Sequence, residues 1–319
     1  MKVNNILKAR MPFFVVLIFD SLKVILRFII KRHKISNNDD GSLSPFFIIG
    51  SGRSGNTLLR SLLVTGNQVA IPPESYVWPR IYRKYKALSF LPWETLSSMV
   101  VSEFEAYKEF YTWEMNLSSA HLESRNLPPT KQSLANVINV IYNTYINSQG
   151  TQAKRWGDKT PINTIFIDKI AKIFPKAQYI HIVRDPRDVV CSYVKANLYD
   201  DYFEALKFWK EANRKAELLR KQLPEDRFYQ IRYEDLVKSP DSELKKICDF
   251  LGVDYSPEML LFWKNKNELG DVKYNQHHDN IGNPISTASV GKWKKILSND
   301  ELQYIETNAA EQIQKYSYL

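Results

Sequence analysis

The stretch that most constrains the fold is residues 46–60, Phe46-Phe47-Ile48-Ile49-Gly50-Ser51-Gly52-Arg53-Ser54-Gly55-Asn56-Thr57-Leu58-Leu59-Arg60. Four consecutive apolar residues read as a short strand buried on both faces, as in a parallel sheet covered by helices. The glycine-rich hexad that follows reads as a tight turn, and Leu58, Leu59, Leu62 and Leu63 recur at helical spacing. Strand, loop and helix in this order aim successive backbone N–H groups and the positive end of a helix dipole at one spot, so the expected guest is an anion with tetrahedral oxygens. Gly50, Gly55 and Thr57 occupy the fixed places of the nucleotide loop G-x-x-x-x-G-K-[ST], but Asn56 stands where its lysine belongs. Kinases and ATPases use that lysine on the terminal phosphates and the Ser/Thr on magnesium. Arg53 supplies a cation inside the loop instead, which suits an anion held without a metal.

The rest of the chain bounds what this loop can serve. At 319 residues it suits one large α/β domain with decorations, and its 44% apolar and 25% charged content is ordinary for a globular protein. A net charge of +9 suits a polyanionic ligand, an acidic acceptor or an anionic membrane surface. The sequence carries no zinc-finger spacing, RNA-recognition signature or helix-turn-helix pattern, so nucleic acid is not an expected partner. Cys191 and Cys248 lie in apolar helical contexts. They read as buried thiols, which fits a reducing, cytoplasmic compartment.

Residues 1–34 are a basic apolar segment: Lys2, Lys8 and Arg10, the run Met11–Phe19, Asp20, then Leu22–Ile30 interrupted by Lys23 and Arg27, and Lys31-Arg32-His33-Lys34. A spanning helix needs about 20 mostly apolar residues, and each central charge costs roughly 2.5–3.5 kcal/mol, so a simple span is disfavoured. A helix lying on an anionic membrane surface is expected, with packing on the protein's own core as the alternative. Residues 35–45 read as a polar linker, and residues 46–319 as the α/β domain, with a helical, aromatic-rich insertion at about 76–150.

Further along, Val69-Ala70-Ile71 leads into Pro72-Pro73-Glu74, a rigid approach that fixes a carboxylate. Partly desolvated beside Tyr76 and Trp78, such a group suits a general base. Lys159 precedes Pro161 and a helix from Ile162 to about Phe174. Gln178–Val183 is a second buried-type strand, and Arg184 leaves its carboxyl end, where α/β sheets place their ligands. Asp185 caps the next helix, which carries Ser192. A helix at 200–223 should turn Phe203, Leu206, Trp209 and Leu218 inward, Phe228–Val237 should be a strand entering a turn, and the stretch through Ser289 and Lys292 is loop-like. His277-His278 has no third ligand at metal spacing, so no zinc is expected.

Arg53-Ser54-Gly55-Asn56-Thr57-Leu58 resembles the 5′-phosphosulfate loop of the sulfotransferases that use 3′-phosphoadenosine 5′-phosphosulfate (PAPS), close to the R-S-G-T-T-L form of the tyrosylprotein group, with Asn56 for the first threonine. Arg184 and Ser192, eight positions apart (192 − 184 = 8), resemble that family's 3′-phosphate motif. Arg232-Tyr233-Glu234-Asp235-Leu236-Val237 is similar to its R-Y-E-x-L-V segment near the adenine, and the ending at Gly291-Lys292-Trp293 to its late cofactor-covering loop. The resemblance spans about residues 46–300. It implies a P-loop-like, three-layer α/β domain with a central parallel sheet, PAPS as donor, adenosine 3′,5′-bisphosphate as product and no metal. It also implies roles for named residues. Arg53, Ser54, Gly55, Asn56 and Thr57 would hold the phosphosulfate, with Ser289 and Lys292 beside it. Arg184 and Ser192 would hold the 3′-phosphate, and Tyr233 would contact the nucleoside. Glu74, 21 positions after Arg53 (74 − 53 = 21), would be the base, and Lys159 would stabilise the leaving group. The acceptor would be a hydroxyl of a glycan, a lipid or a protein tyrosine. Two rival readings are a P-loop kinase and a non-catalytic scaffold binding anions at a membrane surface. For Lys159 itself, a surface lysine pairing with Asp158 or Asp168 is the alternative.

Overall fold

The computed structural model describes residues 11–30, 32–36, 44–151, 153–268 and 282–318. Its centre is a parallel sheet of β1 (Phe46–Ile49), β2 (Val69–Ala70), β3 (Arg155–Asp158), β4 (Gln178–Val183) and β5 (Phe228–Arg232), in the order β2-β3-β1-β4-β5. β1 is therefore central, pairing with β3 on one side (Phe46 with Gly157) and β4 on the other (Phe46 with Gln178 through Ile49 with His181). The order reverses at β1, and the crevice beyond the strands' carboxyl ends at such a point is where open α/β sheets bind ligands.

Alternation along β1 builds the layers. Phe47 and Ile49 face one core, with Tyr179 and the helices of the insertion, while Phe46 and Ile48 face the other, with Ile180, Ile182 and the helix after the loop. All four are buried, as a strand covered on both faces requires. The first core is aromatic: Phe47, Trp78, Tyr142, Trp156 and Phe174 meet in edge-to-face and tilted pairs with centroids 4.1 to 6.5 Å apart. Gly157 is required there, because a Cβ would stand 2.4 Å from the Phe46 ring.

The first layer holds α3 (Trp78–Leu88), α4 (Trp93–Glu105), α5 (Ser118–Arg125) and α6 (Leu134–Ser148), all between β2 and β3. The second holds α2 (Asn56–Thr65), α10 (Tyr233–Lys238) and α11 (Pro240–Leu251), and a third cluster joins α8 (Pro186–Lys195), α9 (Tyr202–Arg220) and the C-terminal α12 (Asn299–Asn308) and α13 (Ala310–Lys315). The caps follow local chemistry: Asp185 accepts from the Arg187 amide, Ser298 and Glu301 form a capping box, and Gly252 ends α11 in the left-handed region.

Three sequence expectations are corrected. The helix after Lys159 is a 3-10 turn, Pro161–Phe166, continuing as the α-helix α7 (Ile167–Ile173), because Pro161 opens a tight first turn. β5 stops at Arg232 and Tyr233 begins α10, so Tyr233 is a helix residue and not a strand one. On α9, Leu206 and Trp209 are buried as expected, but Phe203 and Leu218 are each 43% exposed; Ala205, Ala212, Ala216 and Leu219 complete the buried face. His277 and His278 lie outside the described residues, as does 37–43 of the segment read as a linker.

The segment before β1 contains α1 (Phe13–Ile30), most of whose large apolar side chains are exposed. Among the described residues no helix is long and apolar enough to cross a membrane. Behind α1 the chain is tied to the insertion. The His33 amide donates to the Ser89 carbonyl (2.8 Å), and the Tyr85 hydroxyl (2.9 Å) and Leu134 amide (3.1 Å) both donate to the Lys34 carbonyl.

Candidate active site

The loop between β1 and α2 is held in shape by its own side chains and by two neighbours. Ser51 and Ser54, both fully buried, share a hydrogen bond of 2.7 Å, and Asn56 Nδ2 donates to the Ser51 carbonyl at 2.8 Å. Thr164 clamps the loop's first residue, accepting from the Gly50 amide (2.9 Å) and donating to the Gly50 carbonyl (3.0 Å). Gly55 sits at φ 100° with its α-carbon against the Tyr233 ring, where a Cβ would lie 2.5 Å away. Arg53 itself adopts φ 63°, an unusual conformation for a side-chain-bearing residue and one that tight ligand loops tolerate.

Two guanidinium groups meet beside this loop. Arg53 Nε donates to Ser192 Oγ at 3.0 Å, and Arg184, arriving from the end of β4, donates to the Arg53 carbonyl at 3.0 Å and to the Ser289 carbonyl at 2.6 Å. The Arg184 guanidinium also lies over the Tyr233 ring, 4.5 Å from its centroid. Burial pulls the Arg53 pKa down, and the nearby Arg184 charge pulls the same way. Arg184 Nε is buried without a hydrogen-bond partner. An orphaned cationic donor beside a second cation fits an oxyanion.

On the other side of the loop stand Glu74 and Lys159. Glu74 follows β2 and Lys159 follows β3, and these strands are neighbours (Val69 with Arg155, Ala70 with Trp156), so both chains leave the sheet side by side. The Lys159 side chain is 0% exposed; its Nζ donates to Glu74 Oε1 at 2.5 Å and to Thr57 Oγ1 at 3.3 Å. The second carboxylate oxygen, Oε2, accepts from the Tyr76 hydroxyl at 2.6 Å. Burial and the adjoining Glu74 push the Tyr76 phenol far above its ordinary range, so it stays a proton donor. Lys159 is thus neither at the surface nor paired with Asp158 or Asp168. Asp158 is buried and accepts from Tyr142 (2.7 Å) and Asn163 (2.9 Å) instead. Trp78, expected beside Glu74, is turned into the core.

The structure therefore brings together Arg53, Ser54, Gly55, Asn56, Thr57, Glu74, Lys159, Arg184, Ser192 and Tyr233. Ser289 reaches the group through its carbonyl, while Lys292 is exposed at the surface of the turn Lys292–Lys295. Sequence reasoning missed three supporting residues. Tyr193 packs on Gly52, where a Cβ would lie 2.5 Å from its hydroxyl. Asp188 accepts from the amides of Gly291 (2.7 Å) and Trp293 (3.0 Å), fixing the late loop to α8. Thr164 is the third. Asp188 had a signal, lying four positions after Arg184 on a helix; Thr164 had none.

Comparison with known proteins agrees with this arrangement. The model of the sulfotransferase family matches residues 45–257. The protein-tyrosine sulfotransferase of Drosophila melanogaster is 25% identical over 263 residues, covering 80% of this chain and 48% of that protein. The omega-hydroxy-beta-dihydromenaquinone-9 sulfotransferase Stf3 of Mycobacterium tuberculosis is 25% identical over 247 residues, 66% of this chain and 63% of that one. The chain thus spans about half to two thirds of the length of these two relatives. Among solved structures, the sulfotransferase domain of the Synechococcus PCC 7002 olefin synthase (TM-score 0.55) and that of the curacin biosynthetic pathway (TM-score 0.58) are each 26% identical. They cover 86% and 85% of this chain, and 98% and 99% of their own. With the family model matching two thirds of its length, the chain belongs to the sulfotransferase family.

Proposed function

We propose that this sulfotransferase uses PAPS as donor and a hydroxyl group as acceptor. The observation that carries this reading is the convergence of Arg53 and Arg184, with Ser192 bonded to the first and an unsatisfied Nε on the second. Such a pair suits a ligand with anionic groups at two ends. Arg53 and the loop amides would hold the 5′-phosphosulfate, and Arg184 with Ser192 the 3′-phosphate. Tyr233, stacked under Arg184, would border the nucleoside.

When bound, the donor supplies an activated sulfur–oxygen bond: the acceptor oxygen bonds to sulfur, the bridging bond breaks, and its electron pair leaves with the phosphate of adenosine 3′,5′-bisphosphate. The chain's part is placement, proton removal and charge. Glu74 takes the acceptor's hydroxyl proton, held in aim by Tyr76 on one oxygen and Lys159 on the other. Lys159 is neutralised by Glu74 at rest. Once Glu74 is protonated that partner charge is gone, and the ammonium beside Thr57 is left to oppose the negative charge building on the leaving oxygen. Asn56, in place of the nucleotide-loop lysine, binds the Ser51 carbonyl, and Lys159 brings a lysine to the same loop from β3. The related proteins are named for a protein tyrosine and for a dihydromenaquinone hydroxyl, which supports a hydroxyl acceptor as the shared class.

Incubation with labelled PAPS and fractionated glycans, lipids and proteins should give a labelled product in one fraction. Calorimetry should show uptake of adenosine 3′,5′-bisphosphate. Tight binding of ATP with magnesium, and none of the bisphosphate, would reverse the reading.

A further inference from the structure

We propose that α1 lies in the plane of an anionic lipid bilayer and holds the enzyme on it. The helix is apolar over most of its circumference, yet the fold gives it almost nothing to cover. Phe13 is 81%, Phe14 64%, Ile18 55%, Leu22 57%, Ile25 56% and Ile29 74% exposed. Eighteen residues, including five phenylalanine and isoleucine pairs' worth of apolar surface, far exceed the scattered apolar residues that a soluble surface tolerates.

The pattern around the helix decides how a bilayer would take it. At about 100° per residue, Asp20, Lys23 and Arg27 fall within an arc of about 60°. Phe14, Ile18, Leu22, Ile25 and Ile29 fall on the opposite side, within about 80°. One narrow charged stripe facing a broad apolar face is the pattern of a helix half-sunk at the headgroup boundary, with the stripe in water. A crossing helix would carry all three charges through the hydrocarbon.

Charge chooses the lipid. Residues 1–34 hold eight Lys and Arg and a single acid, Asp20, so they contribute +7 (8 − 1) of the chain's +9, leaving +2 (9 − 7) for the other residues. Basic residues flanking an apolar face favour anionic headgroups, and the same +7 opposes pairing of α1 with α1 of a second copy. The attachment is direct: Arg32 stacks on Phe28 (5.0 Å), Phe28 meets Phe90 (5.3 Å), and His33 and Lys34 are hydrogen-bonded to the insertion helices. What α1 binds, the α/β domain must follow.

The test is flotation of the full chain with vesicles of phosphatidylcholine alone and of phosphatidylcholine with phosphatidylglycerol. The chain should float with the anionic vesicles and wash off at alkaline pH. Ile18→Glu with Ile25→Glu should leave it in the soluble fraction, and Lys23→Gln with Arg27→Gln should weaken anionic-vesicle binding about thirtyfold, the loss expected for two basic residues near the surface. Both variants should keep the thermal melt and the activity on a soluble acceptor. Failure of the unmodified chain to float with anionic vesicles overturns the proposal, as does resistance to alkaline washing, which marks a crossing helix. A dimer that Ile18→Glu with Ile25→Glu dissolves overturns it too, by naming a second copy as the occupant.

Discussion

Lys159 Nζ lies 2.5 Å from Glu74 Oε1 and 3.3 Å from Thr57 Oγ1, so one buried ammonium joins a carboxylate to the anion loop. If Lys159 acts on the leaving group, Lys159→Ala should lower kcat by about 10²–10³ with little change in donor binding. Glu74→Gln should lower it by about 10²–10⁴. Rapid-quench turnover with labelled donor measures both. A Lys159→Ala enzyme of unchanged kcat would remove that residue from the reaction.

Arg184 is predicted to read the 3′ end of the nucleotide. Losing a charged hydrogen bond costs about 1.5–3 kcal/mol, so Arg184→Ala should bind adenosine 3′,5′-bisphosphate roughly 10–100-fold more weakly. Its affinity for adenosine 5′-phosphate should hardly move. Titration calorimetry with the two ligands separates the cases, and equal losses on both would refute the assignment.

The loop needs glycine at position 55 for two reasons, its φ of 100° and the Tyr233 ring beside it. Gly55→Ala should cost about 1–3 kcal/mol of stability from backbone strain alone. Adding Tyr233→Ala relieves the clash but not the strain, so the double variant should still melt below the parent. A thermal melt that returns fully to the parent value would show the ring contact to be the whole effect.

His181 is fully buried, shares a 2.9 Å hydrogen bond with Asn213, and is held down to about 4 by burial. An unfolded histidine takes up its proton near 6.5. Between these values the unfolded chain binds the extra proton, so stability falls as pH drops through that window, by up to about 1.4 kcal/mol per pH unit. Urea unfolding across the range should show this slope, and His181→Gln should flatten it. A slope unchanged in His181→Gln assigns it to other groups.

Asp188 is predicted to govern the late loop. Asp188→Asn replaces one of two acceptor oxygens with a donor, leaving the Gly291 or Trp293 amide without its partner, a loss of about 1–3 kcal/mol. Limited proteolysis within residues 286–293 should then be roughly tenfold faster, and the donor KM should rise. Protection equal to the parent's would show that Arg187, 4.2 Å from the Trp293 ring centroid, holds the loop on its own.

Much of the site was legible because its signals are local. Phe46–Asn56 declares a buried strand, a glycine turn and a helix start within eleven neighbouring residues, and Arg184 to Ser192 lies within one strand-end and one helix. The contact between Glu74 and Lys159 was not legible as a contact. These residues are 85 positions apart and meet only because β2 and β3 are neighbours, a fact of strand order that no local pattern carries. The reading of α9 erred for a related reason: its buried face is built largely from Ala205, Ala212 and Ala216, which hydrophobic periodicity underweights, so Phe203 and Leu218 were assigned an inward face they do not have. Tyr233 was misplaced by one element because Phe228–Val237 is apolar enough to continue as a strand until the backbone turns helical at Tyr233.

Helices α3 to α6 all lie between β2 and β3, bracketed by the two strands that deliver Glu74 and Lys159, while the loop, Arg184 and Ser192 belong to other connections. Substitutions, insertions and losses in that stretch can redraw the surroundings of the nucleophile without disturbing the grip on the nucleotide. A lineage built on this plan can change what it modifies while inheriting its chemistry intact.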